Sequence, residues 1–224
     1  MRQLGAVKLG KRKFNATQEL FGDGSKIPKR VVDRVMQATE MPLVFIDVEC
    51  TGLDIISDRV IEVAACKVMP GESERKIHTR RINPQWDISP GARRVHGISN
   101  ADVKDCPTFS QVAPRLANYM RGCALVAHNA SFDAGFLNKE FSLCRMGRPF
   151  KGVIDTLDIA RSIWPGGRHS LGALAKRLAV RDVGKAHSAG GDVLTLLGVW
   201  DRIVREVKIY QKKGQADEEG GDRR

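Results

Sequence analysis

The chain holds no apolar run near the roughly 20 residues that a membrane-spanning helix needs. Its N-terminus shows no signal-peptide core. Residues 1–14 are basic and free of acid, as in a transit peptide, but they hold no serine, and Glu19 and Asp23 follow soon after. Membrane insertion and import are therefore not expected; a cytoplasmic protein is. Cysteine is sparse and scattered: Cys50, Cys66, Cys106, Cys123 and Cys144 form no CxxC pair and no Cys-His set with zinc spacing. This excludes a disulfide scaffold. It leaves free thiols in a reducing compartment, most of them small buried apolar residues.

Positive charge is what the chain has in excess. Lys and Arg number 37 against 26 Asp and Glu, a net charge of +11 over 224 residues. Such a balance favours a polyanionic partner, most simply nucleic acid. A hydrophobic fraction of 42% is enough for a real core. Residues 1–40 read as a basic N-terminal extension, either a solvated arm or a nucleic-acid contact. Within it, Gln18-Glu19-Leu20-Phe21 has the look of a short docking motif. Residues 28–40 carry a helical stripe of Val31, Val32, Val35 and Met36. Residues 41–212 read as one domain, and 213–224, rich in glycine and charge, as a disordered tail.

Within the domain, residues 43–48, 59–69 and 75–82 read as strands, with Pro70-Gly71 as the turn between the last two. Phe109–Met120 has helical spacing, with Pro114 as a source of a kink. A strand at Ala124–Ala127 precedes a helix from about Ser131. A strand at Val153-Ile154 precedes a helix capped by Asp155 or Thr156. Ser170 is an N-cap for 171–178, and a last helix runs from about Gly191 to Lys212. The order suits an α/β fold with a mixed central sheet flanked by helices, of the ribonuclease-H-like kind.

The chemistry lies in four acids and one histidine. Asp47 and Glu49 close the apolar run Leu43-Val44-Phe45-Ile46, and strand alternation puts both on one face. Asp133 falls in the first turn of its helix, and Asp192 opens the last one. Taken singly, each has a structural explanation: a strand-end charge for the first two, a helix-dipole charge for the others. Together they form a cage for two divalent cations. Carboxylate oxygens suit hard ions such as Mg²⁺ or Mn²⁺, and four carboxylates balance two dications. In this reading Asp47 bridges both ions, and Glu49, Asp133 and Asp192 complete their shells. Two such ions orient a water and stabilise charge on a phosphodiester. His187, five residues before Asp192, is placed to act as general base, with Gly190-Gly191 giving its loop freedom to close. His78 and His169 are expected in solvent.

At these residues the chain resembles the DEDDh family of 3′–5′ exonucleases, above all its group of polymerase III proofreading subunits and their stand-alone relatives. The first motif matches Phe45-Ile46-Asp47-Val48-Glu49-Cys50-Thr51-Gly52-Leu53. The second matches His128-Asn129-Ala130-Ser131-Phe132-Asp133-Ala134-Gly135-Phe136, and the third His187 to Asp192. The resemblance implies metal ligands at Asp47, Glu49, Asp133 and Asp192, and a base at His187. It also implies that Thr51, Gly52, Leu53, Val95, His96, Asn129 and Phe132 surround the terminal nucleotide, although core packing explains Phe132 equally well. Cys50 stands where a threonine is usual, and Gly190-Gly191 where larger residues are common.

The expected activity is removal of nucleoside 5′-monophosphates from the 3′ end of single-stranded DNA, in proofreading, replication or repair. A polymerase or another replication or repair protein is the implied partner. Trimming of RNA uses the same cage, since only a contact to the 2′-OH separates the sugars. A non-catalytic nucleic-acid-binding module on the same fold is the third reading.

Overall fold

A computed structural model describes residues 27–180 and 187–221. The Gln18–Phe21 motif and most of the basic extension lie outside the described residues. At the centre is Leu43–Cys50 (β1), apolar except for Asp47 and Glu49. It pairs antiparallel with Val60–Val68 (β2), which pairs antiparallel with Ile77–Arg81 (β3). On its other side β1 runs parallel to Ala124–Ala127 (β4), and β4 parallel to Val153–Asp155 (β5). The five-stranded mixed sheet has the order β3-β2-β1-β4-β5, and helices cover both faces, as the ribonuclease-H-like expectation has it.

Alternation along β1 divides two cores. Leu43 and Phe45 face Lys29–Thr39 (α1), Thr156–Ile163 (α6), Leu171–Arg177 (α7) and Ala189–Gly221 (α8). Val44, Ile46 and Val48 face Phe109–Met120 (α4) and Ala130–Leu143 (α5). Full burial of each large side chain contributes about 1.5–3 kcal/mol. A third, smaller cluster of Ile61, Ile88, Ile98 and Val103 lies under two short helices, Pro90–His96 (α2) and Asn100–Val103 (α3).

Several boundaries differ from those expected. Val31, Val32 and Val35 of α1 are buried in the same core as α8, so packed structure begins at Ile27 rather than at residue 41. The helix expected to stop at Lys212 continues to Gly221, into the stretch read as a disordered tail. A single glycine, Gly214, costs a helix only about 1 kcal/mol and does not end it. Pro114 lies within α4 without ending it. Asp155 is the N-cap of α6, accepting from Leu157 N–H at 2.9 Å. Ser170 flanks α7 without a side-chain cap bond. The turn before α2 and α3 carries no apolar period, which is why neither helix was expected. Their start signals are short: Ser89 caps α2 by accepting from Ala92 N–H at 3.1 Å, and Pro90 follows it.

The far half of α5 is pinned to the sheet by charge. Glu140, 1% exposed, accepts from Arg59 Nε and Nη2 at 2.8 and 2.9 Å and from Val60 N–H at 3.1 Å. Removing the cation strands a buried carboxylate, which costs about 3–5 kcal/mol. Arg59→Ala is therefore expected to lower unfolding stability by that order in urea titrations. Arg59→Ala with Glu140→Ala together should cost less than the sum of the two single changes.

Candidate active site

The free end of β1 is made by a difference in strand length. β4 pairs only with Leu43, Val44 and Phe45, so the edge of β1 beyond them is open. Asp133, in the first turn of α5 and 4% exposed, fills it: its Oδ1 accepts from Val48 N–H at 3.1 Å. α5 itself is registered by Asp155, whose carboxylate accepts from Asn129 N–H at 3.1 Å and Ala130 N–H at 3.0 Å. The same side chain caps α6, so one acid fixes the start of two helices. Asn129 holds the left-handed backbone, φ 66°, that lets the chain turn into α5.

Asp47 and Glu49 project from the face that carries α8. Asp192, the fourth residue of α8, meets them there, and oxygens of the three carboxylates lie within 4.8 Å of one another. The start of α8 is organised by Ser188, whose Oγ accepts from Gly191 N–H at 3.3 Å and whose carbonyl accepts from Asp192 N–H at 2.9 Å. A Cβ at Gly190 would stand 3.0 Å from Thr79 Oγ1, so the glycine lets α8 approach β3. Asp133 and His187 stand outside the 4.8 Å cluster. His187 is exposed, at φ 62°, on the turn directly before α8.

Burial and mutual repulsion shape the charge of this cluster. Burial first, then Asp133, Asp192, Glu49 and Glu62, push Asp47 well above the ordinary carboxylate range. Burial, then Asp192, Glu62 and Asp133, push Glu49 up to about 8. Burial pushes Asp133 up to about 7 against the opposing Val48 N–H bond. Converging hard oxygens that resist ionisation together form a fitting donor set for divalent cations.

Glu62 is not among the site residues expected from the sequence. It is 6% exposed and sits directly across β2 from Glu49, and Arg81 sits across β3 from Glu62. Arg81 Nε donates to Glu62 Oε1 at 3.3 Å. A row Glu49–Glu62–Arg81 thus runs across three strands on one face, bringing a cation to the rim of the cluster. A register shift between Glu49 and Cys50 closes the ladder just beyond it, as bulges often do beside reacting sites.

The residues expected around a terminal nucleotide fall into two sets. Leu53 and Val95 are exposed, at 84% and 58%, and present apolar surface. Phe132 is half-buried and tilted against Phe136, with ring centroids 4.8 Å apart. Thr51 is fully buried and engaged within the protein: its hydroxyl donates to Asp58 Oδ1 at 2.8 Å and accepts from Arg59 N–H at 3.0 Å. A Cβ at Gly52 would overlap the Asp58 carboxylate, so glycine is required where the loop folds back. His96 Nδ1 accepts from Ile98 N–H at 3.0 Å, and burial holds the imidazole below its usual range, which favours the neutral ring. His169 differs from expectation. It is half-buried, with Nε2 2.8 Å from Trp164 O and its own carbonyl 2.7 Å from His128 Nε2. His78 is exposed, as expected.

An exonuclease family model (RNase_T) matches residues 44–200. The chain is 34% identical over 150 residues to the DNA polymerase III subunit epsilon of Buchnera aphidicola subsp. Schizaphis graminum, covering 62% of this chain and 64% of that one, so it spans less than two thirds of that relative. It is 37% identical over 163 residues to the epsilon subunit of Rickettsia typhi, covering 70% and 71%. A solved structure of exonuclease X in complex with 5′ overhanging duplex DNA is 28% identical, with a TM-score of 0.56, and the likeness covers 73% of this chain and 91% of that one.

A carboxyl that titrates higher in the folded than in the unfolded state binds its proton more tightly when folded. Glu49 therefore adds stability below its unfolded value of about 4.3. That stability is lost as pH rises through about 8. The melting temperature of metal-free protein is expected to fall across this window, less steeply in Glu49→Gln, and added Mg²⁺ should flatten the slope of the unmodified protein. Differential scanning fluorimetry against pH, with and without EDTA, measures all three.

Proposed function

The chain belongs to the exonuclease family whose model matches residues 44–200, and from that premise we propose a divalent-metal-dependent 3′–5′ exonuclease that takes single-stranded DNA from its 3′ end and releases nucleoside 5′-monophosphates. The observation that carries this reading is the convergence of Asp47, Glu49 and Asp192 within 4.8 Å in a chain of net charge +11. An acidic cluster in a cationic protein serves a polyanion when cations fill the cluster and the surroundings hold phosphates.

Asp47, Glu49 and Asp192, with Asp133 behind them, are the residues that would hold two Mg²⁺ ions, for which Mn²⁺ substitutes. Bound there, the ions supply Lewis acidity and neutralise charge at the scissile phosphate. The remaining work falls to side chains. An imidazole nitrogen of His187 takes the proton of the attacking water as the new P–O bond forms and the bond to the 3′ oxygen breaks. The place of His187, exposed on the turn directly before the helix that carries Asp192, supports this role. Leu53 and Val95 offer apolar surface to the terminal base, and stacking of this kind tolerates any sequence. Phe132 and Asn129, at the start of α5, complete the pocket. Thr51, held on all sides, fixes Gly52 and Leu53 in place.

The relatives are subunits of DNA polymerase III, and work beside a polymerase is the corresponding proposal for this chain. No described helix is long and apolar enough to cross a membrane.

Oligonucleotides labelled at the 5′ or the 3′ end test the reading. The 3′ label should be released first as a mononucleotide, and EDTA should stop release. Asp47→Asn and Asp133→Asn should abolish it, and His187→Ala should slow it about 10²–10⁴-fold. Matched RNA oligomers measure the sugar preference in the same assay. Undiminished activity in Asp47→Asn would remove the mechanism.

A further inference from the structure

Three tryptophans occur in the chain, and two are core residues: Trp164 is 4% exposed and Trp200 5%. Trp86 is 57% exposed, on a loop that is otherwise tightly built. Gln85, at φ 52°, donates its N–H to Asn83 Oδ1 at 2.9 Å, and Asn83 Nδ2 donates to Lys104 O at 2.7 Å. Asn100 Oδ1 accepts from Ile88 N–H at 2.9 Å while its Nδ2 donates to Asp87 Oδ1 at 3.0 Å. The indole is thus held out on a rigid frame, bordering an open cleft of about 570 Å³ that Asn83, Gln85 and Lys104 help to line.

The frame is fastened to the candidate active site. Ser89 N–H donates to Thr51 O at 2.9 Å, and Arg59 Nη1 donates to Pro84 O at 3.2 Å. Three residues of chain, one backbone hydrogen bond and two residues of strand separate Trp86 from Glu49, an upper reach on the order of 20 Å. Arg81, half-exposed, touches both surroundings. It bonds Glu62 on the cluster side and approaches Asp102, next to Val103 and Lys104 of the cleft, at 3.9 Å.

We propose that Trp86 and its cleft form a second nucleotide subsite, which stacks an unpaired base of the strand upstream of the 3′ end, with Lys104 and Arg81 facing its phosphates. An exposed aromatic face has the chemistry that holds single strands without regard to sequence, and Lys104 supplies a cation to a cleft that the carboxylate of Asp87 also lines. A paired base has no free face for the indole, so the subsite takes single-stranded nucleic acid. The inference rests on the exonuclease reading but is separable from it. The terminal pocket acts on the last linkage, whereas the Trp86 cleft acts only on substrates long enough to reach it.

The test uses the full chain and two substrates, a thymidine dinucleotide and a thymidine oligomer of about a dozen residues. Trp86→Ala should raise KM for the oligomer about tenfold, with kcat within twofold and dinucleotide hydrolysis unchanged. Trp86→Phe should restore most of the loss. Tryptophan fluorescence, titrated with the oligomer in EDTA so that nothing is cleaved, should be quenched in the unmodified protein and not in Trp86→Phe. An unchanged oligomer KM in Trp86→Ala, or quenching that persists in Trp86→Phe, would overturn the subsite. Absence of hydrolysis by the unmodified protein would overturn the exonuclease reading instead, and the fluorescence titration would still decide the subsite. Equal melting temperatures for both variants exclude a folding defect.

Discussion

Like charges crowded at the end of a buried strand are the constraint on which the rest of this protein depends. Asp47, Glu49 and Asp192 bring carboxylate oxygens within 4.8 Å, with Glu62 and Asp133 adding to the field. A folded chain tolerates this when protons or cations relieve part of the charge and the surrounding elements are rigid enough to hold the acids together. The sheet provides that rigidity. β1 is central, bounded by β2 along nearly its whole length and by β4 at its start, and its apolar residues are buried on both faces.

Each acid is positioned by an element with a separate anchor. Asp47 and Glu49 depend on the β1–β2 register. Asp133 depends on α5, which Asp155 starts and Glu140 fastens further along. Asp192 depends on α8, seated by Ser188 and by the close approach of Gly190 to Thr79. The cluster is therefore a meeting of three independently tethered pieces. That division explains why acids so far apart in sequence share one small volume.

What the sequence disclosed was what local pattern encodes. The β1 run, its two same-face acids, the start of α5 and the apolar face of α8 follow from periods of 2.0 and 3.6. What stayed hidden depends on register or distance. Glu62 reads as part of a strand interior, and only pairing shows that it sits opposite Glu49. Arg81 is one basic residue among many until β3 aligns it with Glu62. His169 looks like a surface residue because its carbonyl partner, His128, is 41 positions away. The helices α2 and α3 escaped because they are short and contribute almost nothing to an apolar stripe. Gly190 reads as freedom for the His187 loop, but it lies within α8, and Thr79, distant in sequence, makes it a close fit.

The length of α8 has a consequence of its own. Its 33 residues, Ala189–Gly221, measure about 50 Å along the axis at 1.5 Å per residue. Asp192 lies at one end, and among the residues whose side chains are described the core is packed as far as Val207 and Tyr210. The helix axis runs about 16 Å past Tyr210. The helix is a ruler with its zero mark at the cluster: a fluorophore or spin label attached at exposed Lys213 would sit at a set separation from the acids and register any tilt of the rod that carries Asp192.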